Sequence, residues 1–201
     1  MKKCYFWAVF LLLIISGCTS QVGRNEPLAA KDIQLSVIYN YASVRESNYK
    51  ITSYSDTKTT NAELKTTVFA ENLDNTPAWL TENEIVLQEA SSKTKTWIDK
   101  DSMKCMKIVI ETTYGGKIYE QEMDCSSEGI TGTSRTSNEA KFLAAESITV
   151  PLGTFAANKY EVVSGNSKIY LWAVANVPIP LKVEQWSNEK LVSLMELETY
   201  S

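Results

Sequence analysis

From Ser47 onward the chain is a succession of short stretches rich in Val, Ile, Thr, Tyr and Trp, cut by turn residues at intervals of roughly 8–15 positions. That rhythm admits little besides an antiparallel sheet. The punctuation has its own chemistry: Asp74-Asn75-Thr76-Pro77, Gly115-Gly116, Val150-Pro151-Leu152-Gly153, Ser164-Gly165-Asn166 and Ser187-Asn188 all suit chain reversal. Strands are expected near 49–56, 63–71, 78–88, 92–99, 103–114, 117–125, 141–150, 154–164, 167–175, 180–187 and 190–200, about eleven in chain order. The fold class is mainly β, or α+β once the segment before the strands is counted. No repeat, dinucleotide glycine pattern or phosphate loop interrupts it. The polar run Ser126–Glu139 reads as a mobile loop, either a spacer or a flap over a cavity.

Ahead of the strands, Pro27 suits the first turn of a helix, and Ile33, Val37, Tyr41 and Val44 recur at helical spacing with Ile38 beside them. One amphipathic helix over about 28–46 is expected. Its polar face holds Lys31, Asp32, Asn40 and Arg45, so the other face should lie on an apolar surface.

Residues 1–18, MKKCYFWAVFLLLIISGC, hold the parts of an export signal in order: Lys2 and Lys3, an apolar run from Tyr5 to Ile15, and small residues before a cut. The run falls short of the roughly 20 apolar residues that a spanning helix wants. Ile15-Ser16-Gly17-Cys18 resembles a bacterial-type lipobox, which implies that Cys18 is diacylglycerated and becomes the first residue of the mature chain. A plain signal or an uncleaved anchor is the alternative. Two acyl chains give stable anchoring where a single chain is marginal. The expected division is a signal peptide at 1–17, a lipidated cysteine and tether at 18–27, and one β-rich domain at 28–201.

The chain has 20 basic and 24 acidic residues, and cutting after residue 17 removes two lysines and no acid, for a mature net charge near −6. Nucleic acid is therefore not an expected partner. The mature part of the 201 residues suffices for one domain with a real core. Histidine is absent, which excludes a Ser-His-Asp triad, a Cys-His pair and any imidazole metal site. With no paired-carboxylate or nucleophile motif in recognisable context either, the chain is not expected to be an enzyme, and no cofactor or metal is implied.

Cys4 leaves with the signal and Cys18 carries lipid, so Cys105 and Cys125 remain to face an oxidising exterior, where they pair most simply with each other. The segment between them is two strand-like stretches around Gly115-Gly116, one hairpin with a cysteine at each open end. A bond there closes a loop of about 20 residues and contributes roughly 3 kcal/mol in the chain-entropy model. A two-residue Gly115-Gly116 turn sets Ile110 opposite Gln121 and Ile108 opposite Met123, but leaves Cys105 one step off Cys125. A three-residue Tyr114-Gly115-Gly116 loop aligns the cysteines and sets Ile108 and Ile110 against Glu122 and Glu120. A bulge near Met123–Asp124 would reconcile bridge and apolar face, and is the favoured solution.

Lys168–Ala175 is apolar on both faces: Ile169, Leu171 and Ala173 alternate with Tyr170, Trp172 and Val174. One cover is expected to be the helix, the other a ligand, a lid or more sheet. Tyr160, Tyr170, Trp172 and Trp186 are the candidate ligand-contacting aromatics, with core packing the competing reading of Tyr170 and Trp172.

Ser147-Ile148-Thr149-Val150-Pro151-Leu152-Gly153-Thr154-Phe155, followed by Lys159-Tyr160-Glu161-Val162, resembles a hairpin of extracytoplasmic lipoproteins in the lipoprotein carrier/receptor (Lol-like) superfamily and its uncharacterised surface-lipoprotein relatives. Trp172 and Val177-Pro178-Ile179-Pro180-Leu181-Lys182-Val183-Glu184 are similar to the strand pair that follows it there. The resemblance covers residues 147–186, about a fifth of the chain. It implies a curved antiparallel sheet, an unclosed half-barrel whose concave side holds acyl chains under helices. This chain shows one helix where the carriers have several, and its cysteine pair lies outside their core motif.

The expectation for function is a membrane-anchored, non-enzymatic protein of the cell envelope, at the outer membrane or the outer face of the cell membrane according to host. It would bind an apolar or amphiphilic ligand such as lipid. The alternative is a structural or protein-interaction module with a solid core, whose partner is another envelope protein.

Overall fold

The computed structural model describes residues 28–86, 90–102, 104–123, 125, 139–164 and 166–201; the expected signal, lipobox and tether, and residues 126–138, lie outside them. Eleven strands stand close to their expected positions: β2 (Glu46–Tyr54), β3 (Thr59–Leu73), β4 (Thr76–Val86), β5 (Ala90–Asp99), β6 (Cys105–Tyr114), β7 (Lys117–Met123), β8 (Glu139–Val150), β9 (Gly153–Ser164), β10 (Ser167–Ala173), β11 (Lys182–Ser187) and β12 (Lys190–Tyr200). A two-residue β1 (Ile33–Gln34) precedes them. All join one antiparallel sheet in the order β1-β8-β9-β10-β11-β12-β2-β3-β4-β5-β6-β7.

Three hairpins turn on two residues with positive φ: Asp74 and Asn75, Gly115 and Gly116, Asn188 and Glu189. Paired positive φ is the requirement of the type I′ turn, whose twist matches that of the strands it joins. The sheet curls. The Leu152 amide, in the β8–β9 turn, donates to the Leu197 carbonyl of β12 at 3.1 Å, although β9 and β12 are three strand spacings apart, about 14 Å in a flat sheet. Among the described residues the two ends of the sheet do not pair, so the barrel is unclosed.

The helix is a single turn, α1 (Leu35–Ile38), rather than an element over 28–46. Ile33 and Gln34 pair instead with Ala140 and Glu139 of β8. The last α-type bond runs from the Tyr39 amide to the Leu35 carbonyl, and the Asn40 amide is taken by the Pro178 carbonyl at 2.8 Å. A tertiary acceptor thus removes the next rung of the helix, and Tyr41–Ser43 continue as a 3₁₀ turn. Consequently Val37 faces solvent, whereas Ile33, Ile38 and Val44 are buried.

The β6–β7 hairpin has the two-residue Gly115-Gly116 register, with Ile108 opposite Met123 and Ile110 opposite Gln121. The cysteines are nevertheless bonded, with Cα atoms 5.7 Å apart. Trp97 of β5 pairs with Lys107 and Ile98 with Cys105, so Met106 is an extra residue on β6. A bulge therefore lies at Met106, β7 pairs regularly with β6 through Met123, and Asp124, where the other bulge was expected, is outside the described residues. The Met106 bulge steps Cys105 into the place Met106 would otherwise hold opposite Cys125.

Candidate functional site

The pairing register sorts the side chains of β3–β7 into rows across the sheet, and the two faces differ completely in charge. On one face the rows are Leu64–Ile85–Ser92–Thr112–Tyr119, Thr66–Asn83–Thr94–Ile110–Gln121 and Val68–Thr81–Thr96–Ile108–Met123. None of these residues is ionisable near neutral pH. On the other face the rows are Lys65–Glu84–Lys93–Glu111–Glu120, Thr67–Glu82–Lys95–Val109–Glu122 and Phe69–Leu80–Trp97–Lys107.

The charged face is the outer one, laced by Lys65–Glu46 (2.9 Å), Lys93–Glu82 (3.8 Å), Lys95–Glu111 and Lys107–Glu122 (2.8 Å). Hydrogen bonds to Glu111 and Glu122 push the Lys95 and Lys107 ammoniums above their ordinary values, the effect expected where a partner holds the charged form.

The uncharged face continues past β3 through Tyr49, Ile51, Leu197, Met195, Val183, Leu171 and Tyr160 to β9. Over β8–β10 it is covered by the N-terminal segment: Ile33 and Ile38, with Leu28, Leu35 and Tyr39, pack on Tyr160, Val162, Leu171 and Ala173. Tyr39 and Tyr41 lie with rings 6.1 Å apart, and the Tyr49 hydroxyl donates to the Pro180 carbonyl at 2.8 Å. Burial raises all three phenols, Tyr41 to about 12.

Ile33, Ile38 and their N-terminal neighbours pack on β8–β10. The apolar clusters take in Leu64 and Val68 of β3, with Trp79 and Ile85 of β4 at their border, and no described residue of β5, β6 or β7. This stretch of the face, the trough over β3–β7, has Thr81, Thr96 and Ile108 buried along its Val68 row and Ile85, Thr94 and Ile110 half-buried in the other two rows. Two of its hydroxyls have partners within the sheet: Thr66 donates to the Asn83 side chain at 2.7 Å, and Thr81 to the Thr96 carbonyl at 3.4 Å. Among the described residues charge stands at the rim, where the Lys100 ammonium lies 4.2 Å over the Trp79 ring and Lys117 closes the last turn. Such a surface can receive apolar chains and neutral polar groups. No group of three or more potential metal ligands occurs among the described residues.

The four aromatics chosen from sequence do not form one site. Tyr160 is wholly buried on the inner face, its hydroxyl donating to the Ala29 carbonyl at 3.0 Å, while Asn158 of the same strand donates to the Leu28 carbonyl. Burial raises its phenol, and the Asn158 hydrogen bond opposes that shift. Tyr170, Trp172 and Trp186 are on the outer face, by pairing with Glu161 and Glu184, with Lys159 and Lys182, and with Lys168 respectively. Trp172 is 3% exposed and its Nε1 donates to Glu146. Tyr170 and Trp186 meet edge to face at 6.4 Å.

The trough was signalled in the sequence by its period of two, not by aromatics: Leu64, Thr66 and Val68 alternate with Glu63, Lys65 and Thr67, and Thr94 and Thr96 with Lys93 and Lys95. Elsewhere an open pocket of about 300 Å³ is lined by Val37, Asn40, Pro178 and Tyr200, and another of about 190 Å³ by Asp32, Lys141 and Glu161.

No family model matches the chain, and no curated protein matches it. Among solved structures it is similar to a DUF1329 family protein from Desulfovibrio piger, with 8% sequence identity, coverage of 80% of this chain and 87% of that one, and a TM-score of 0.41.

Proposed function

We propose that this chain is a non-enzymatic, membrane-anchored lipoprotein of the cell envelope, whose half-barrel holds an apolar or amphiphilic ligand, such as lipid, in the trough over β3–β7. The observation that carries this reading is the exclusion of charge from all three inner rows while every outer row is charged. A wet sheet face with no partner ordinarily mixes Lys and Glu among its residues, so an uncharged one marks a surface meant to be covered. The lipobox-like Ile15-Ser16-Gly17-Cys18 supplies the anchor in this reading, and the resemblance of residues 147–186 to the Lol-like superfamily agrees with it. The test is native mass spectrometry of the full chain extracted from its own membrane in mild detergent. Retained lipid at near one per chain supports the proposal; a chain that carries no apolar molecule contradicts it.

A second reading, a protein-interaction module, is favoured by the tip of the β6–β7 hairpin, where Tyr114, Ile118 and Tyr119 are 63%, 72% and 58% exposed. Crosslinking in intact cells separates the two. A reproducible protein neighbour at that tip, with no lipid retained, favours the module.

A further inference from the structure

The sheet has two long strands at its margins, and they are not alike. β7 offers its free backbone groups through Ile118, Glu120 and Glu122, because Tyr114 and Lys117 flank the two-residue turn and exchange hydrogen bonds, and the pattern alternates from there. Two carboxylates among three such positions repel a second copy and guard that edge. β8 is twelve residues long, and among the described residues its pairing on that side is with β1 alone, at Glu139 and Ala140. From Leu143 to Ser147 every residue is exposed, as is Thr149.

The free groups of β8 can be assigned by the same alternation. Val150 and Gly153 flank the Pro151-Leu152 turn, so the outward amides and carbonyls belong to Ala145, Ser147 and Thr149. The Thr149 and Thr154 hydroxyls, 3.0 Å apart, fit the closer, non-hydrogen-bonded type of pair expected at that position. All three outward residues are small, and none is charged. The one acid in this stretch, Glu146, accepts from the Trp172 indole on the outer face.

We propose that two copies of this chain pair through β8, antiparallel about a two-fold axis at Ser147, to make one continuous sheet. In that register Ser147 faces Ser147 of the second copy, Ala145 faces Thr149, and Glu146 faces Ile148, so no like charges meet and inner faces remain inner. Moving the axis one residue to Glu146 would oppose two carboxylates and fix the register against that slip. The proposal does not depend on what the trough binds.

The experiment introduces Ser147→Cys or Thr149→Cys into the full chain and applies a mild oxidant to membranes that contain it. At the axis, the Cα atoms of position 147 in the two copies would stand about 5.5 Å apart, inside the range of about 4.4–6.8 Å that a disulfide bridges. Thr149 lies about 14 Å from its own copy by the rise per residue. The expected result is at least about tenfold more disulfide-linked dimer for Ser147→Cys than for Thr149→Cys, against a wild-type baseline. Ala145→Pro, which removes an outward amide and none of the β8–β9 ladder, should abolish that dimer and leave the Cys105–Cys125 bond intact. A monomeric Ser147→Cys chain, equal crosslinking of the two variants, or a dimer that survives Ala145→Pro in a folded chain overturns the proposal. Should Ala145→Pro fail to fold, the two cysteine variants decide.

Discussion

The Lys159 ammonium lies 4.6 Å over the Trp172 ring, directly across the β9–β10 pair, and Lys182 covers the same ring at 4.6 Å from β11. Two cations and the Glu146 carboxylate thus enclose one indole on the outer face. Cation–π contacts of this kind are worth about 0.5–2 kcal/mol each, less than the burial of the ring itself. Trp172→Ala should therefore cost about 3–5 kcal/mol and lower Tm by about 10 °C or more. Thermal unfolding of the variant checks it, and a Tm within a few degrees of wild type would put Trp172 on an open wall instead.

The disulfide closes the β6–β7 hairpin at the margin of the sheet. Replacing Cys105 and Cys125 by Ser should cost about 3 kcal/mol, and non-reducing peptide mapping of exported protein should link the two cysteine peptides. Two free thiols in freshly exported protein would contradict the pairing.

Strand positions were legible because each turn carries its own chemistry: Gly115-Gly116 and Asp74-Asn75 accept positive φ, and Pro151 presets its turn. The helix was not. Ile33, Val37, Tyr41 and Val44 satisfy a helical period, yet Ile33, Val37 and Val44 are β-branched and also suit extended chain, and the Pro178 carbonyl that captures the Asn40 amide is distant in sequence. The Met106 bulge was hidden for a related reason, since it answers to pairing with both β5 and Cys125 at once. Aromatic residues drew attention to Tyr170 and Trp172, whereas the face that sets the trough is written in threonines and isoleucines at alternate positions.

Three phenols, Tyr49 buried and Tyr39 and Tyr41 half-buried, make the fold sensitive to alkali. Tyr41 is raised to about 12 by burial, and Tyr39 and Tyr49 are raised by the same cause. The folded state then holds these protons after the unfolded chain, near pH 10, has lost them. Stability is untouched below pH 10 and falls as pH rises from 10 to 12, by about 3 °C or more in Tm per pH unit. Tyr41→Phe should flatten that fall; an unchanged slope would contradict it.

For the proposed anchor, Cys18→Ser should leave an unprocessed precursor without lipid label. Metabolic fatty-acid label that persists on this variant would contradict lipidation at Cys18.

The central claim is that the uncharged inner rows of β3–β7 are a binding surface. Ile110→Lys places one charge in the middle of the trough, while Thr113→Lys, three residues along β6, places the same charge on the outer face. Lipid retained per chain, measured by native mass spectrometry of each variant beside wild type, is the direct test. The account predicts at least about a tenfold loss for Ile110→Lys, from the cost of a charge in an apolar site, and no loss for Thr113→Lys. Equal retention in the two variants, with both folded, would contradict it.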